Sequence, residues 1–447
     1  MKKAKFLAAT MAAATLFAAC NNESDFGGEG TTPEGQPTYA SITVSVNNSG
    51  TRATRSTSQD GEKELTTVDI LIFDKGGVLE TYAQNVSLSD GKYNVKTTTG
   101  QKTVYAIANA NNQVSGISLG MTLPAFEALS FKAAEADAEA MKVNVPIATP
   151  ENFLMFGKTV ATLKTQSGSA ANQVSLTVTR AAAKSQLLFK NVAASDSFQP
   201  QGIEINFESA ATQLAQLQPT MYVVAPAVSG GTLTPWTDDY TTSGDNWFAA
   251  RQIAFDTPNL SEDATVVEFS HYMSENINPT PLMNTTTCML VRVKAKPQSW
   301  SSDEGSQTGD TFYALVKFTS DTDKKFETIG SYYGIYMTQD AAQNVLDTTL
   351  AEDPDVAKYG IVEFTDGYCY YRLNLRDMTK QTTAERYNVL RNNFYKVTVT
   401  EINNLGWNDP ADLVNPGDTT PVETETSLDV TISVADWTDV DMNEPLG

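Results

Sequence analysis

Residues 40–56 read "ASITVSVNNSGTRATRS", and the two halves of this stretch predict different structures. In the first half, Ile42, Val44 and Val46 alternate with polar residues, which is the pattern of a strand with one buried face. The second half is a polar, glycine-containing loop that carries Arg52 and Arg55, and such loops are preferred sites of proteolysis. A strand suited to burial therefore stands immediately before a basic loop that a protease can cut.

Strand patterns continue along most of the chain. From Thr66 onward, short alternating segments are separated by Gly, Asn, Asp and Pro, and few segments have helical periodicity. The best helix candidate in the first half covers residues 123–141, and a second short helix is expected over residues 338–352. Many short strands with few helices are typical of β-sandwiches. We predict an all-β fold of two β-sandwich domains, at residues 40–182 and 183–407.

The C-terminal part of the chain carries a second strand of the same kind. Residues 408–426, "NDPADLVNPGDTTPVETET", are rich in Pro, Asp and Thr and predict an irregular linker. After this linker a strand is predicted in which four aliphatic residues alternate with polar ones: Leu428, Val430, Ile432 and Val434. Residues 408–447 are thus expected to form a linker and a terminal strand, so that an alternating strand lies near each end of the chain.

The first twenty residues have the pattern of a secretory signal. Three lysines in the first five residues precede an apolar run over residues 6–19, which is too short to span a bilayer. The run ends in "LFAAC", which is similar to a bacterial lipobox, so Cys20 is predicted to be lipidated. Residues 21–39 are polar and rich in Gly and Pro, as a flexible tether would be. The alternative is an ordinary signal peptide with an incidental cysteine.

Charge and residue counts exclude several functions. The chain has 53 Asp and Glu against 31 Lys and Arg, a net charge of -22, so nucleic acid and anionic membrane surfaces are poor partners. Its single histidine, His271, excludes zinc sites built from clustered histidines. "GISLG" around Ser118 matches a nucleophile-elbow pattern but follows a polar loop instead of a strand, so no catalytic role is predicted. We predict no enzyme activity, metal or cofactor.

Two further features leave alternatives open. Trp236, Tyr240 and Trp247 fall in one loop, where they could stack on sugars or pack over the open end of a sandwich. Cys288 and Cys369 could form one disulfide in an oxidising compartment, or they could be two separately buried thiols.

Several stretches resemble, in the same order, segments of fimbrillins, the shaft subunits of the type V pili of Bacteroidales bacteria. These stretches are "ASITVSVNNSGTR", "GQKTVYAIANANN", "VTRAAAKSQLLF", "YMSENINPT", "DGYCYYRLNL" and "VLRNNFYKVTVTEI". Over "YCYYRLNLR" and "RNNFYKVTV" the chain is most similar to the minor-fimbria shaft-protein branch.

The resemblance implies a structural function and a fold of two transthyretin-like Greek-key β-sandwiches. It implies export as a lipoprotein to the outer membrane, followed by cleavage after Arg52, or else Arg55, by a trypsin-like, Arg-specific protease. The first strand (residues 40–52) is then lost, and the C-terminal strand of another copy fills the groove left behind. The implied partners are other copies in an extracellular fimbrium, together with anchor and tip subunits, and the implied role is adhesion.

A second function from a different class fits many of the same features. A surface-anchored, glycan-binding β-sandwich lipoprotein would share the signal, the tether and the acidity. It would differ in keeping its lipidated N-terminal segment, whereas a processed pilus subunit loses it.

Overall fold

The chain is described here by a computed structural model. The structure describes residues 33–47, 61–137, 142–149, 152–166, 172–224, 228–229, 232–233, 259–260, 266–324, 329–415, 417–422 and 428–436. Outside these residues lie Cys20, Arg52 and Arg55 and the aromatic loop of Trp236, Tyr240 and Trp247. Among the helices of the described residues, none has the length and apolar character needed to span a membrane.

The strands of the first half are β1 (Pro37–Val46), β2 (Val68–Phe73), β3 (Leu79–Ala83), β4 (Leu88–Ser89), β5 (Lys92–Thr98), β6 (Gly100–Ala108), β7 (Ser130–Lys132), β8 (Glu135–Asp137), β9 (Lys142–Asn144), β10 (Ala148–Thr149), β11 (Asn152–Phe153), β12 (Met155–Leu163) and β13 (Asn172–Arg180). Those of the second half are β14 (Ala183–Gln199), β15 (Ile203–Ala215), β16 (Thr220–Tyr222), β17 (Val228–Ser229), β18 (Thr232–Leu233), β19 (Asn259–Leu260), β20 (Val266–Met273), β21 (Cys288–Pro297), β22 (Phe312–Phe318), β23 (Ile329–Tyr336), β24 (Tyr359–Phe364), β25 (Tyr368–Asn374), β26 (Asn393–Asn404) and β27 (Leu428–Asp436). The helices are α1 (Leu123–Glu127), α2 (Gln339–Thr348) and α3 (Thr383–Arg386), with 3-10 turns at Val356–Lys358, Thr365–Gly367 and Asp412–Val414.

The first half is built on eight strands in the order β3-β2-β6-β12-β13-β1-β5-β4. Only two residue pairs, Met155 with Arg180 and Phe156 with Thr179, join β12 to β13. The strands on either side of this short junction form two layers that enclose one apolar core, with Ile70 and Val104 from one layer and Ile42 and Val174 from the other. The strand patterns fit this arrangement, since β5 and β13 alternate between buried and exposed residues, as strands with one buried face should.

The second half contains a five-stranded sheet in the order β19-β20-β14-β26-β27 and three-stranded sheets β15-β21-β25 and β23-β22-β24. A second core cluster fills the space between them, with Leu187 and Val397 from the first sheet and Leu290 and Val316 from the other two. The prediction of an all-β fold with two sandwiches and a few short helices is confirmed. The predicted domain limits stay a prediction. Ala182 belongs to the first core and Ala183 to the second, but the first core also contains Met221, Val223 and Ile277, and the second contains Ala134.

One predicted helix is largely wrong. In the described part of this segment, residues 123–137, the helix covers Leu123–Glu127 and is followed by the short strands β7 and β8. The amide N–H groups of Ala133 and Ala134 both donate to the carbonyl oxygen of Pro219, at 2.8 and 3.2 Å, and β7 pairs with β16. These contacts with a segment distant in the sequence outweigh the weak helix preference of alanine and glutamate. The helix predicted over residues 338–352 is confirmed as α2.

Candidate functional site

β1 is the first strand of the described residues, yet it lies inside a sheet. It pairs in parallel with β13, from Ala40 opposite Asn172 to Val46 opposite Val178, and antiparallel with β5, from Pro37 opposite Thr98 to Ile42 opposite Tyr93. Both hydrogen-bonding edges of this strand are therefore occupied. Its removal would leave unpaired N–H and C=O groups on the facing edges of β13 and β5, which is the kind of template to which another strand adds.

The side chains of β1 contribute to the first core. Ile42 is fully buried, while Val44 and Val46 are partly buried and pack against the same cluster. Their register neighbours on β13 are Val174, Leu176 and Val178, all of them buried. A groove left by β1 would accordingly have an apolar floor as well as two unpaired edges.

The loop after β1 is held at both of its ends. On the β1 side, the N–H of Asn47 donates to the carbonyl oxygen of Val178 at 2.9 Å. The candidate cleavage residues, Arg52 and Arg55, lie outside the described residues. The chain is described again from Gly61, and the next residue, Glu62, is buried between the two halves of the molecule.

Glu62 takes part in a buried ionic contact that the sequence did not reveal. Its carboxylate Oε1 accepts hydrogen bonds from Nζ of Lys184 and from the hydroxyl of Tyr272, both at 2.7 Å, and its main-chain oxygen accepts one from Nε of Arg180 at 2.8 Å. The Glu62 and Lys184 side chains are only 1% and 2% exposed. Burial, reinforced by the Glu62 charge, holds the pKa of Tyr272 well above its ordinary value. These contacts hold the downstream end of the loop in place.

Alanine in place of Glu62 should be strongly destabilising, because the Lys184 ammonium would stay buried without the carboxylate. We expect the free energy of unfolding to fall by about 3–5 kcal/mol. Urea unfolding measures this change, with Glu34→Ala as the matched control. Glu34 forms an ion pair with Lys75 in which both side chains are about two-thirds exposed, so its loss should cost less than about 1 kcal/mol. Equal effects of the two variants would contradict a role for Glu62 as an anchor.

The C-terminal strand β27 lies at the edge of the five-stranded sheet of its own chain. It pairs antiparallel with β26, where its four aliphatic residues stand opposite buried residues: Leu428 opposite Ile402, Val430 opposite Val399, Ile432 opposite Val397 and Val434 opposite Tyr395. Among the described residues, β27 is paired on one edge alone, the edge that faces β26. β1 and β27 belong to different sheets, so one chain does not bring the two predicted strands together.

The segment before β27 is irregular, as predicted, but it is packed instead of free as far as Val422. The N–H of Met283 donates to the oxygen of Thr420 at 2.8 Å, and the N–H of Val422 donates to the oxygen of Pro281 at 3.0 Å. Leu282 and Pro421 form an isolated bridge between these two pairs of residues. The tether available to β27 is therefore shorter than the predicted linker of residues 408–426.

Arg372 on β25 also binds the segment that precedes β27. Its guanidinium, on a residue 8% exposed, donates hydrogen bonds to the main-chain oxygens of Leu413, Met283 and Thr286 and to the side chains of Asn374 and Gln216, at 2.6–3.1 Å. One buried side chain therefore connects β25, the 283–286 loop and the start of the C-terminal segment. The sequence alone gave no sign of this role.

The remaining candidate residues do not form a site. Ser118 lies exposed in a loop and not at the end of a strand, and Nε2 of His271 is 2.7 Å from Oγ1 of Thr212. Within the described part of the chain, no three His, Cys, Asp or Glu residues are grouped so as to hold a metal ion. Cys288 and Cys369 are buried and unbonded to each other. They are five register positions apart on β21 and β25, about 17 Å, which no disulfide can bridge.

Two family models match this chain. The one described as Major fimbrial subunit protein (FimA) matches residues 38–189, and the one described as Major fimbrial subunit protein type IV, Fimbrillin, C-terminal, matches residues 362–443. Together they cover just over half of the sequence. The chain belongs to the fimbrillin family. Fimbrillins are structural subunits of surface fimbriae and not enzymes, so the predicted family, the structural role and the lack of enzyme activity are confirmed.

Solved structures of low sequence identity align with most of this fimbrillin. A fimbrilin from Porphyromonas gingivalis is 17% identical and aligns with a TM-score of 0.48 over 90% of this chain and 98% of that chain. The tip fimbrial protein Mfa3 of the same organism, with C-terminal truncation, is 13% identical, with a TM-score of 0.35 over 90% and 100%. Its fimbrial anchor protein Mfa2 is 9% identical, with a TM-score of 0.31 over 81% and 90%. All of these TM-scores are below 0.5, so the family assignment rests on the two family models.

No curated protein matches this fimbrillin. The closer likeness to the minor-fimbria branch stays a prediction.

Proposed function

We propose that this fimbrillin is exported as a lipoprotein acylated on Cys20, loses β1 through cleavage after Arg52 or Arg55, and polymerises by strand exchange. The product is an extracellular fimbrium that supports adhesion. The observation that supports this most is the placement of β1, which is the first strand of the described residues but lies between β13 and β5. An N-terminal strand in that place can be removed by one cut, and its loss opens a groove instead of merely trimming an edge.

The free energy available for exchange comes from backbone pairing and from apolar burial. Within the described part of the chain, β27 pairs with β26 alone, whereas a strand in the place of β1 pairs on both sides. Four aliphatic side chains would contribute at most about 6–12 kcal/mol, at roughly 1.5–3 kcal/mol for each one that is fully buried, before the costs of ordering and association. The contribution is smaller at the places of Val44 and Val46, which are only partly buried in β1. Part of this gain is offset because β27 must give up its pairing with β26. The second ladder of backbone hydrogen bonds in the groove favours the exchanged state.

The geometry of this exchange leads to filaments. The groove lies in the first half of one subunit, and the strand that fills it comes from the end of another, so the contact is head-to-tail. Such heterologous contacts extend into open assemblies unless the rotation between subunits closes a ring. The proposed partners are accordingly further copies of this chain, with anchor and tip subunits at the two ends of the filament and an Arg-specific protease that starts assembly.

The N-terminus of the surface-exposed protein tests this proposal. Mass spectrometry of the isolated protein should find Ala53 as the first residue, or Ser56 if Arg55 is cut, with no acyl group attached. A chain that still begins at an acylated Cys20 would overturn the proposal and favour the glycan-binding lipoprotein. The matched control is the same protein from cells treated with an inhibitor of Arg-specific proteases, where the acylated form should accumulate.

A further inference from the structure

Arginine and lysine differ in where they lie on this molecule. The chain contains nine arginines and 22 lysines. Six of the arginines belong to the described residues, and each of them is buried or half-buried: Arg180, Arg292, Arg372, Arg376, Arg386 and Arg391. Eight of the described lysines, by contrast, are exposed: Lys75, Lys96, Lys132, Lys158, Lys164, Lys296, Lys324 and Lys380. The exposed basic residues of the described surface are therefore lysines.

Three of these arginines are held almost completely inside the protein. Arg180 is 0% and Arg372 8% exposed, and the side chain of Arg391 is 10% exposed. Arginine is seldom buried in this way unless its charge is paired, and Arg391 donates to Oε2 of Glu275 at 2.8 and 3.1 Å and to two main-chain oxygens at 2.9 and 3.1 Å. A trypsin-like protease must take the guanidinium into its own specificity pocket, so these bonds would have to break first.

The main chain protects three of the six arginines as well. Arg180 is the last residue of β13, Arg292 lies in β21 and Arg372 lies in β25. Arg292 is paired on both sides, with Ala211 of β15 and Tyr370 of β25. A protease binds its substrate as an unpaired segment, so a residue inside a sheet is cut only after the sheet opens locally.

Two exposed loops of the described chain contain no arginine. Residues 303–310, "DEGSQTGD", lie between β21 and β22; all of them are exposed and none is basic. Residues 378–383, "MTKQTT", are also all exposed, and the basic residue among them is Lys380. Exposed loops of small and polar residues are preferred sites of proteolysis. An arginine in either loop would give an Arg-specific protease a further place to cut.

We propose that the fold withholds its six described arginines from the Arg-specific processing protease, so that none of them competes with the loop after β1. This inference rests on the proposed function for the kind of protease, and it adds what determines where that protease cuts this chain. A cut after any of the six would sever the folded part of the subunit, whereas a cut after Arg52 or Arg55 frees β1. The exposed lysines are harmless because an Arg-specific protease does not cut after them.

Arg386 is the least protected of the six. It ends the short helix α3 directly after the exposed residues 378–383, and its Nε donates to the main-chain oxygen of Lys380 at 2.9 Å. The helix is held by a capping box in which the hydroxyl of Thr382 donates to Oε2 of Glu385 at 2.7 Å and accepts from its N–H at 3.2 Å. Loss of this cap should open α3 locally and make Arg386 available.

Two matched pairs of variants test this inference, both in a chain with Arg251→Lys because Arg251 lies outside the described residues. A purified Arg-specific protease should cut Gln307→Arg within residues 303–310 at least tenfold faster than Gln307→Lys. It should also cut Thr382→Ala after Arg386 at least tenfold faster than the parent chain, whereas Thr382→Ala combined with Arg386→Lys should resist. Mass spectrometry of the fragments assigns each cut, and thermal melting before digestion shows that each variant is folded.

The outcomes distinguish this inference from the proposed function. Resistance of Gln307→Arg would overturn the inference, because the exposure of an arginine would not then decide where the protease cuts. Cleavage of the folded parent chain after any of the six described arginines would overturn it as well. A parent chain that stays intact at both Arg52 and Arg55 would instead overturn the proposed function, and the preference for Gln307→Arg over Gln307→Lys could still be measured. Should Thr382→Ala fail to fold, the pair at position 307 decides the question, since that position is exposed in a loop.

Discussion

A variant in which alanine replaces both Arg52 and Arg55 is expected to form no filaments while remaining a folded, acylated monomer. β1 is paired with β13 over Ala40–Val46 and with β5 over Pro37–Ile42, so the groove stays closed as long as this strand is present. Even if β1 frays, the uncut loop keeps it next to the groove at an effective concentration of roughly millimolar. A strand from a neighbouring subunit cannot compete with it until the loop is cut.

Electron microscopy and size-exclusion chromatography measure this outcome, and acyl labelling at Cys20 reports the uncut state. The control restores cleavage without arginine: a recognition site for a foreign protease, placed in the loop of the double-alanine variant, should allow assembly once that protease is added. Normal filaments from the uncut double variant would remove proteolysis from the mechanism. Failure after foreign cleavage would show that loss of β1 is not sufficient.

Patterns within single segments predicted much of the fold. The alternation of Ile42, Val44 and Val46 indicated a strand with one apolar face, and β1 has one. The helix α2 was predicted correctly because its start is specified locally, with the hydroxyl of Thr338 accepting from the N–H of Ala341 at 3.2 Å. In both cases the residues that determine the structure lie within a few positions of one another.

Contacts between distant segments could not be predicted in this way. The alternation of β1 does not specify that its neighbours are β13 and β5, and this pairing is what makes it an inner strand. Glu62 and Arg372 look like ordinary surface charges in the sequence, because their partners are remote in the chain: Lys184 for the first, Leu413 and Gln216 for the second. Such burial depends on the tertiary arrangement, and a local pattern contains no information about it.

Locking β27 to β26 should block assembly as completely as loss of the cleavage site, but reversibly. Thr398 and Thr431 stand directly opposite each other in this antiparallel pair, so cysteines at both positions are close enough for a disulfide. The oxidised T398C/T431C protein is expected to be processed yet to remain monomeric, since the strand that should fill the next groove cannot leave. Reduction should restore filaments to wild-type yield, which size-exclusion chromatography and electron microscopy can follow in one sample.

The position of the cross-link decides how the result is interpreted. A disulfide between L282C and P421C joins the bridge that already holds the chain before Val422. Because this segment is bonded to the 281–283 loop and lies before β27, we expect it to stay in place during exchange, and the oxidised control should assemble normally. Monomers from both oxidised variants would mean that a longer C-terminal segment detaches. Filaments from oxidised T398C/T431C would show that β27 is not the strand that enters the neighbouring subunit, because a strand covalently held on β26 cannot fill a groove elsewhere.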